Sequence, residues 1–196
     1  MAPQQVRIIG GAWKRTPLPV LDALGLRPTP DRVRETVFNW INHQLGNDWN
    51  GVDCLDLFAG TGALGFEAAS RGARSVTMVD NHFPAVRQLE LNRAKLKADS
   101  VTVLRADAVA VARDFAARGK RFDVIFLDPP YQQDFLSATL PLCAPLLNEG
   151  GMVYAESGAA LPFDEAPDWL AGWDAVRTDK AGMVFYHLLK LQESKA

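Results

Sequence analysis

Between Val52 and Ala73 the sequence reads VDCLDLFAGTGALGFEAASRGA, and no other stretch restricts the fold as much. The apolar run from Val52 to Phe58, interrupted only by Asp53 and Asp56, is short and borders glycine. That pattern predicts a buried strand. Gly60, Gly62 and Gly65 follow, then a helical segment ending near Arg71 with Gly72 as its C-cap. A strand that turns on glycines straight into a helix presents bare backbone amides, and these can cradle a ligand.

The spacing Gly60-x-Gly62-x-x-Gly65 matches a dinucleotide fingerprint, with Asp80 at the distance of a ribose-binding acid. The sign of charge argues against a dinucleotide. Asp56 closes the strand where a pyrophosphate would sit, and two like charges 4 Å apart cost about 4 kcal/mol at an effective dielectric near 20. A ligand with a sulfonium and an ammonium gains from that carboxylate. S-adenosylmethionine (SAM) is such a ligand, and it keeps a ribose for Asp80. A tight strand-to-helix turn without any ligand is the plain alternative.

From Val52 onward the chain alternates. Strands are expected at Ser75 to Val79, Val101 to Leu104, Phe122 to Leu127 and Gly151 to Ser157. Helices are expected from Pro84 to about Lys97, from Ala108 to Arg118, and from Phe135 to Leu147, where Pro141 and Pro145 kink or shorten the last. Two final strands around Ala181-Gly182 make a hairpin. This order implies an α/β fold with a doubly wound parallel sheet and an antiparallel C-terminal hairpin. Ligands of such sheets bind beyond the carboxyl ends of the strands. Asp56, Asp80, Asp107 and Asp128 all fall at such ends, each with a plain role as cap or turn former, Asp107 above all. Ahead of the sheet, Val6 to Ile9, Gly10-Gly11 and the residues after them read as a small hairpin. Pro17 and Pro19 confine its second strand to an edge. Thr29-Pro30-Asp31 predicts a helix start with Thr29 as the capping hydroxyl. Val33, Val37, Trp40, Ile41 and Leu45 then keep helical spacing.

A chain of 196 residues fits one domain with a small appendage. We divide it into an N-terminal extension, 1–49, and a sheet domain, 50–196. Cys54 and Cys143 make no disulfide framework and no zinc spacing, and His43, His82 and His187 are scattered, so no metal site is expected. The opening MAPQQVRII lacks an export leader, and no apolar run is long enough for a bilayer, so the expected location is the cytoplasm. A monomer is expected. Residues 1–34 carry six basic residues, Arg7, Lys14, Arg15, Arg27, Arg32 and Arg34, against Asp22 and Asp31, a balance of +4. The remainder has fifteen basic and twenty-one acidic residues, a balance of −6. A basic segment on an acidic body suggests a polyanion partner; a merely solvated face is the plain reading.

Asp128-Pro129-Pro130-Tyr131 is the most specific chemical signal, expected by chance in about one chain in a thousand of this length when proline is near 5%. Two prolines remove two N–H donors and stiffen the turn. They leave a rim of acceptors: the Asp128 carboxylate and nearby carbonyls, notably that of Pro129. An exocyclic amine donates two hydrogens to such a rim. Fixing both frees its nitrogen lone pair to meet an electrophilic methyl group. Tyr131 offers a face on which a flipped base can stack.

DLFAGTG followed by DPPY resembles the class I SAM-dependent amino-methyltransferases. RIIGGAW at 7–13, RPTPDRVRETVFNW at 27–40 and LDLFAGTGALGFEAASRGA at 55–73 narrow the resemblance. They are similar to the bacterial family that methylates a guanine N2 in small-subunit (16S) ribosomal RNA, over nearly the full length. The resemblance implies a seven-stranded methyltransferase sheet with its last strand inserted antiparallel. It implies cofactor contacts at Asp56, Phe58, Ala59, Gly60, Thr61 and Gly62, at Asp80 and Asn81, and at Asp107 and Ala108. Asp128, Pro129, Pro130 and Tyr131 would hold the target base, and Arg7, Lys14, Arg15, Arg32 and Arg34 would contact RNA. After Trp13 the family continues with a more basic, glycine-containing run, whereas this chain has Lys14-Arg15-Thr16-Pro17. Three other readings stay open. One is an amino-methyltransferase for another RNA base or DNA adenine, although 196 residues leave little room for a DNA recognition domain. The others are a non-catalytic RNA-binding assembly factor, which would not need the acceptor rim, and an NAD oxidoreductase, which Asp56 disfavours.

Overall fold

In the computed structural model, which describes residues 5–20, 29–130 and 135–193, the expected alternation forms one large sheet and its covering helices. In chain order the elements are β1 (Gln5–Arg7), β2 (Pro17–Pro19), α1 (Asp31–Gln44), β3 (Asp53–Asp56), α2 (Ala63–Ser70), β4 (Ser75–Asp80), α3 (Phe83–Leu96) and β5 (Val101–Arg105). They continue with α4 (Ala108–Ala117), β6 (Phe122–Leu127), α5 (Phe135–Cys143), β7 (Leu147–Ser157), β8 (Trp173–Ala181) and β9 (Val184–Leu191). The large sheet has seven strands in the order β5-β4-β3-β6-β7-β9-β8. β9 runs antiparallel to both of its neighbours; the pairings from β5 through β7 are parallel. The chain winds outward from β3 to β5, then crosses back to β6. The order reverses between β3 and β6, and a ligand crevice belongs there.

Side chains alternate between the faces of each strand. Cys54, Val76, Met78, Val124, Phe126 and Tyr154 pack with α1, α2 and α3 in one core layer. Leu55, Val79, Ile125, Leu127 and Val153 pack with α4 and α5 in the other. The N-terminal extension shares the first layer, where Ile8, Leu18, Val33, Val37, Phe38 and Ile41 are buried. Pro141 lies inside α5, and Pro145 lies in the short 3-10 turn Ala144–Leu146 that ends the segment, as its prolines require.

Two local expectations are corrected. Gly10-Gly11 does not turn a tight hairpin. β1 and β2 pair antiparallel, but residues 8–16 join them, and the glycines lie against the end of α2. The Ala12 amide donates to the Ser70 carbonyl at 2.7 Å, and a Cβ on Gly11 would stand 1.9 Å from that oxygen. Gly11 permits close approach of two backbones, and Gly10 makes room for the Arg71 guanidinium. Nor does Thr29 cap α1. Pro30 precedes the helix without a side-chain cap, and the Thr29 hydroxyl is used elsewhere.

Candidate active site

The acidic residues that interrupt the apolar strands separate into two rims of the sheet. At the amino ends of the strands Asp123 accepts from the Asp53 amide at 2.8 Å and from Asn148 Nδ2 at 2.8 Å. Asp53 in turn pairs with Arg74 and accepts from the Ser75 hydroxyl at 2.7 Å. These carboxylates are satisfied by their own fold. At the carboxyl end of β3, Asp56 is 1% exposed, and its oxygens meet no side-chain donor among the described residues, only the Phe58 and Gly65 amides standing near them. Burial pushes its pKa from 3.8 up to about 7, with the Asp80 charge adding to the rise and the Phe58 and Gly65 amides opposing it. A buried carboxyl group without a full set of donors costs stability, and a cationic ligand placed against it would recover that cost.

Around Asp56 the glycine segment is built as its spacing requires. Gly62, at φ +80°, precedes α2, and a Cβ there would meet Phe66 and Leu89 at 2.6 Å. Gly65 lets α2 lie on β4, since a Cβ would stand 2.5 Å from Met78 Cε. Asp80, at the end of β4, organises the loop: one oxygen accepts from the Gly60 amide at 2.9 Å, the other from the His82 amide at 2.8 Å. Each carboxylate oxygen can accept again, so Asp80 still has room for ribose hydroxyls. Ala59, Thr61 and the exposed Asn81 flank the same loop, and Phe58 lies 5.6 Å from the Phe135 ring. Asp107 caps α4, accepting from the Ala110 amide at 2.9 Å, with Ala108 buried behind it. The Ala106 amide donates to the Asp80 carbonyl at 3.1 Å and brings that loop to the same rim.

Across the switch point, Asp128 follows β6, with Pro129 buried and Pro130 exposed after it. Tyr131 lies outside the described residues. Leu127 pairs with Ala155 on β7, so Asp128 and Glu156 come next on adjacent strands and share a face. Glu156 is fully buried. Its Oε1 accepts from the Tyr154 hydroxyl at 2.6 Å and from the Thr29 hydroxyl at 2.9 Å, while Thr29 Oγ1 also lies 3.3 Å from Asp128 Oδ2. Burial, then the charges of Glu156 and Asp56, hold the Asp128 carboxyl well above the ordinary carboxylate range. Thr29 and Glu156 were missed in the sequence. The available signal was a glutamate ending an otherwise apolar strand, Gly151 to Ser157.

The basic residues divide. Arg7, Lys14, Arg15 and Arg32 are exposed. Arg7 reaches Asp31 at 3.5 Å across the surface. Arg34 is fully buried, which corrects its assignment to an RNA surface. It donates to Asp31 at 2.6 Å and to the Thr29 carbonyl at 3.3 Å, and stands 4.0 Å from the buried Glu67. Glu67 accepts from the Ile9 and Gly10 amides at 2.7 and 2.8 Å and from Arg71 at 2.9 Å. The extension is therefore fastened to α2, directly behind the glycine segment.

Comparison with known proteins places this geometry in company. The family model described as conserved hypothetical protein 95 matches residues 6–190. Ribosomal RNA small subunit methyltransferase D of Escherichia coli K12 is 39% identical over 186 residues, covering 94% of this chain and 89% of that protein. The solved structure of yhhF from Escherichia coli superposes with a TM-score of 0.80 at 38% identity, covering 96% of this chain and 99% of that one. More distantly, SMU.776, solved in complex with SAH, shares the fold at a TM-score of 0.60 and 17% identity, over 76% of this chain and 49% of that one.

Proposed function

The chain belongs to the family described as conserved hypothetical protein 95, and on that footing we propose that it transfers a methyl group from SAM to the exocyclic N2 amine of a guanine in small-subunit ribosomal RNA. The observation that carries this reading is the position of Asp128. It follows β6 across the switch point from β3, where the buried carboxyl of Asp56 has no side-chain donor among the described residues and would gain from a cation. SAM fits the residues present: Asp56 would meet its positive groups, Asp80 would hold its ribose hydroxyls, and the amides of the Gly60 to Gly62 turn would line its site. When bound it supplies an electrophilic methyl group, leaving as a neutral thioether.

The protein's own groups supply the rest. Asp128 and the Pro129 carbonyl accept the two amine hydrogens and turn the nitrogen lone pair toward the methyl group. The stiff Pro129-Pro130 turn keeps that rim in place without cost at the moment of reaction. Arg7, Lys14, Arg15 and Arg32 offer exposed positive charge to RNA phosphates. The small-subunit RNA substrate comes from the named function of the relatives, and guanine N2 from the resemblance of the motifs.

The test is transfer of labelled methyl from SAM into small-subunit ribosomal RNA by the pure protein, followed by mass spectrometry of the digested nucleosides. N2-methylguanosine is expected. N6-methyladenosine would move the substrate to another base, and no transfer at all would favour an assembly factor. Asp128→Ala should remove most turnover while leaving SAM affinity within a few-fold, because its partner is the target amine.

A further inference from the structure

A methylated amine leaves the reaction with one proton too many, and the Asp128 to Thr29 to Glu156 contacts form a path for it. The Thr29 hydroxyl has a single hydrogen, yet its oxygen lies 2.9 Å from Glu156 Oε1 and 3.3 Å from Asp128 Oδ2. It can be donor toward one carboxyl group and acceptor from the other. The Tyr154 hydroxyl also donates to Glu156 Oε1, and burial with the neighbouring negative charge keeps a proton on Asp128. Resting on the methyl-transfer reading above, we infer that Thr29 and Glu156 form a proton relay behind Asp128, with Glu156 as the buried terminal acceptor.

The step balances. The methylated N2 loses one proton to Asp128 Oδ1, and the N–H electron pair stays on nitrogen. Asp128 Oδ2 releases its own proton to Thr29 Oγ1, and Thr29 passes its hydroxyl hydrogen to Glu156 Oε1. Asp128 ends protonated as it began, and Glu156 becomes neutral. No further reagent enters.

The surroundings load the path. Asp56 at the end of β3 and Glu156 on β7 both bring negative charge to Asp128 and keep a proton on it before the amine arrives, so the added proton has to pass onward. On α1, Arg34 holds the Thr29 carbonyl and is itself engaged with Asp31, with Glu67 of α2 beyond it, so the neighbouring positive charge is tied to other carboxylates. Thr29 enters the cleft from the N-terminal extension. The segment carrying the exposed basic residues thus supplies a hydroxyl to the chemistry itself, and its sequence position directly before α1 has a function other than capping.

Three variants separate relay from scaffold. Thr29→Val keeps the shape and removes the hydroxyl, Thr29→Ser restores it, and Glu156→Gln keeps an acceptor for Tyr154 while removing the charge. The measurements are single-turnover transfer to small-subunit ribosomal RNA across pH, SAM affinity by calorimetry, and titration of the Asp128 carboxyl by carbon-13 NMR, its resonance assigned by its loss in Asp128→Asn. Thr29→Val and Glu156→Gln should each lose about a hundredfold in rate, the lower range for positioned proton transfer, with SAM affinity within a few-fold of wild type. Thr29→Ser should recover most of the rate. In Glu156→Gln the acid limb of the rate profile and the Asp128 titration should both move to lower pH. Wild type silent on the RNA would overturn the methyl-transfer reading and the relay with it. An active wild type whose Asp128 titration is unmoved in Glu156→Gln, or whose Thr29→Val variant matches Thr29→Ser, would overturn the relay alone. Should Glu156→Gln fail to bind SAM, the Thr29 pair decides.

Discussion

Replacing Asp56 by asparagine tests the reasoning on which the cofactor site rests. The Asp56 carboxyl has an ordinary pKa of 3.8 and is held near 7 in the fold, mainly by burial. The folded state therefore binds the proton more tightly than the unfolded chain. The stability Asp56 contributes is fully present below pH 3.8 and is lost progressively as pH rises toward about 7. At about 1.36 kcal/mol for each pH unit, that loss is on the order of 4 kcal/mol. Asparagine has no such dependence, and its neutral amide replaces a carboxyl group that is itself neutral at low pH. Free Asp56→Asn should thus lie close to wild type near pH 4 and be more stable near pH 8. For a chain this size about 1 kcal/mol shifts the melting temperature by 2–4 °C, so the gap between the two proteins should swing by roughly 8 °C or more. Thermal unfolding followed by circular dichroism between pH 4 and 8, with and without saturating SAM, provides the measurement. SAM should flatten the decline of wild type, because its cationic groups favour the ionised carboxyl, and should protect the variant much less. Parallel stability curves for the two proteins would refute the idea that a buried acid waits for a cation.

Asp80→Ala should weaken SAM binding at least about tenfold in calorimetry, since charge-assisted bonds to the ribose are worth roughly 1.5–3 kcal/mol each; unchanged affinity would displace Asp80 from the site. Joint replacement of the exposed Arg7, Lys14 and Arg15 by alanine should weaken RNA binding and flatten its dependence on log salt by about two units, at roughly 0.7–0.9 for each phosphate. Filter binding at several salt concentrations reads this, and equal slopes would leave these residues a solvated face. Glu67→Ala strands the Ile9 and Gly10 amides and takes from Arg71 its carboxylate partner. It should cost about 3–5 kcal/mol in urea unfolding, and a loss under about 1 kcal/mol would show that the fastening of the extension to α2 contributes little.

What the sequence determined by itself was whatever depends on neighbours along the chain. The glycines after β3 announce a turn because only a residue without Cβ fits there, and the structure shows that requirement at Gly62 and Gly65. Alternating apolar runs announce buried strands between helices, so the doubly wound sheet was legible, as was the placing of Asp56, Asp80, Asp107 and Asp128 at strand ends. Tertiary structure decided what each polar side chain does, because its partner lies far away in sequence. Thr29 reads locally as a cap, yet its hydroxyl meets Glu156, 127 positions on, since β7 lies beside β6 and α1 covers that face. Arg34 reads as one more charge in a basic run, yet the packing of α1 on the sheet turns it inward, toward Asp31 and Glu67. Asp53 and Asp56 stand three residues apart in one strand with the same chemistry. Their fates divide because one meets the donors of Arg74 and Ser75 at one rim and the other is buried at the opposite rim with no side-chain donor among the described residues. Local sequence sets where the chain can bend and which face is apolar; the pairing of a buried charge requires knowing which strands become neighbours, and only the assembled sheet settles that.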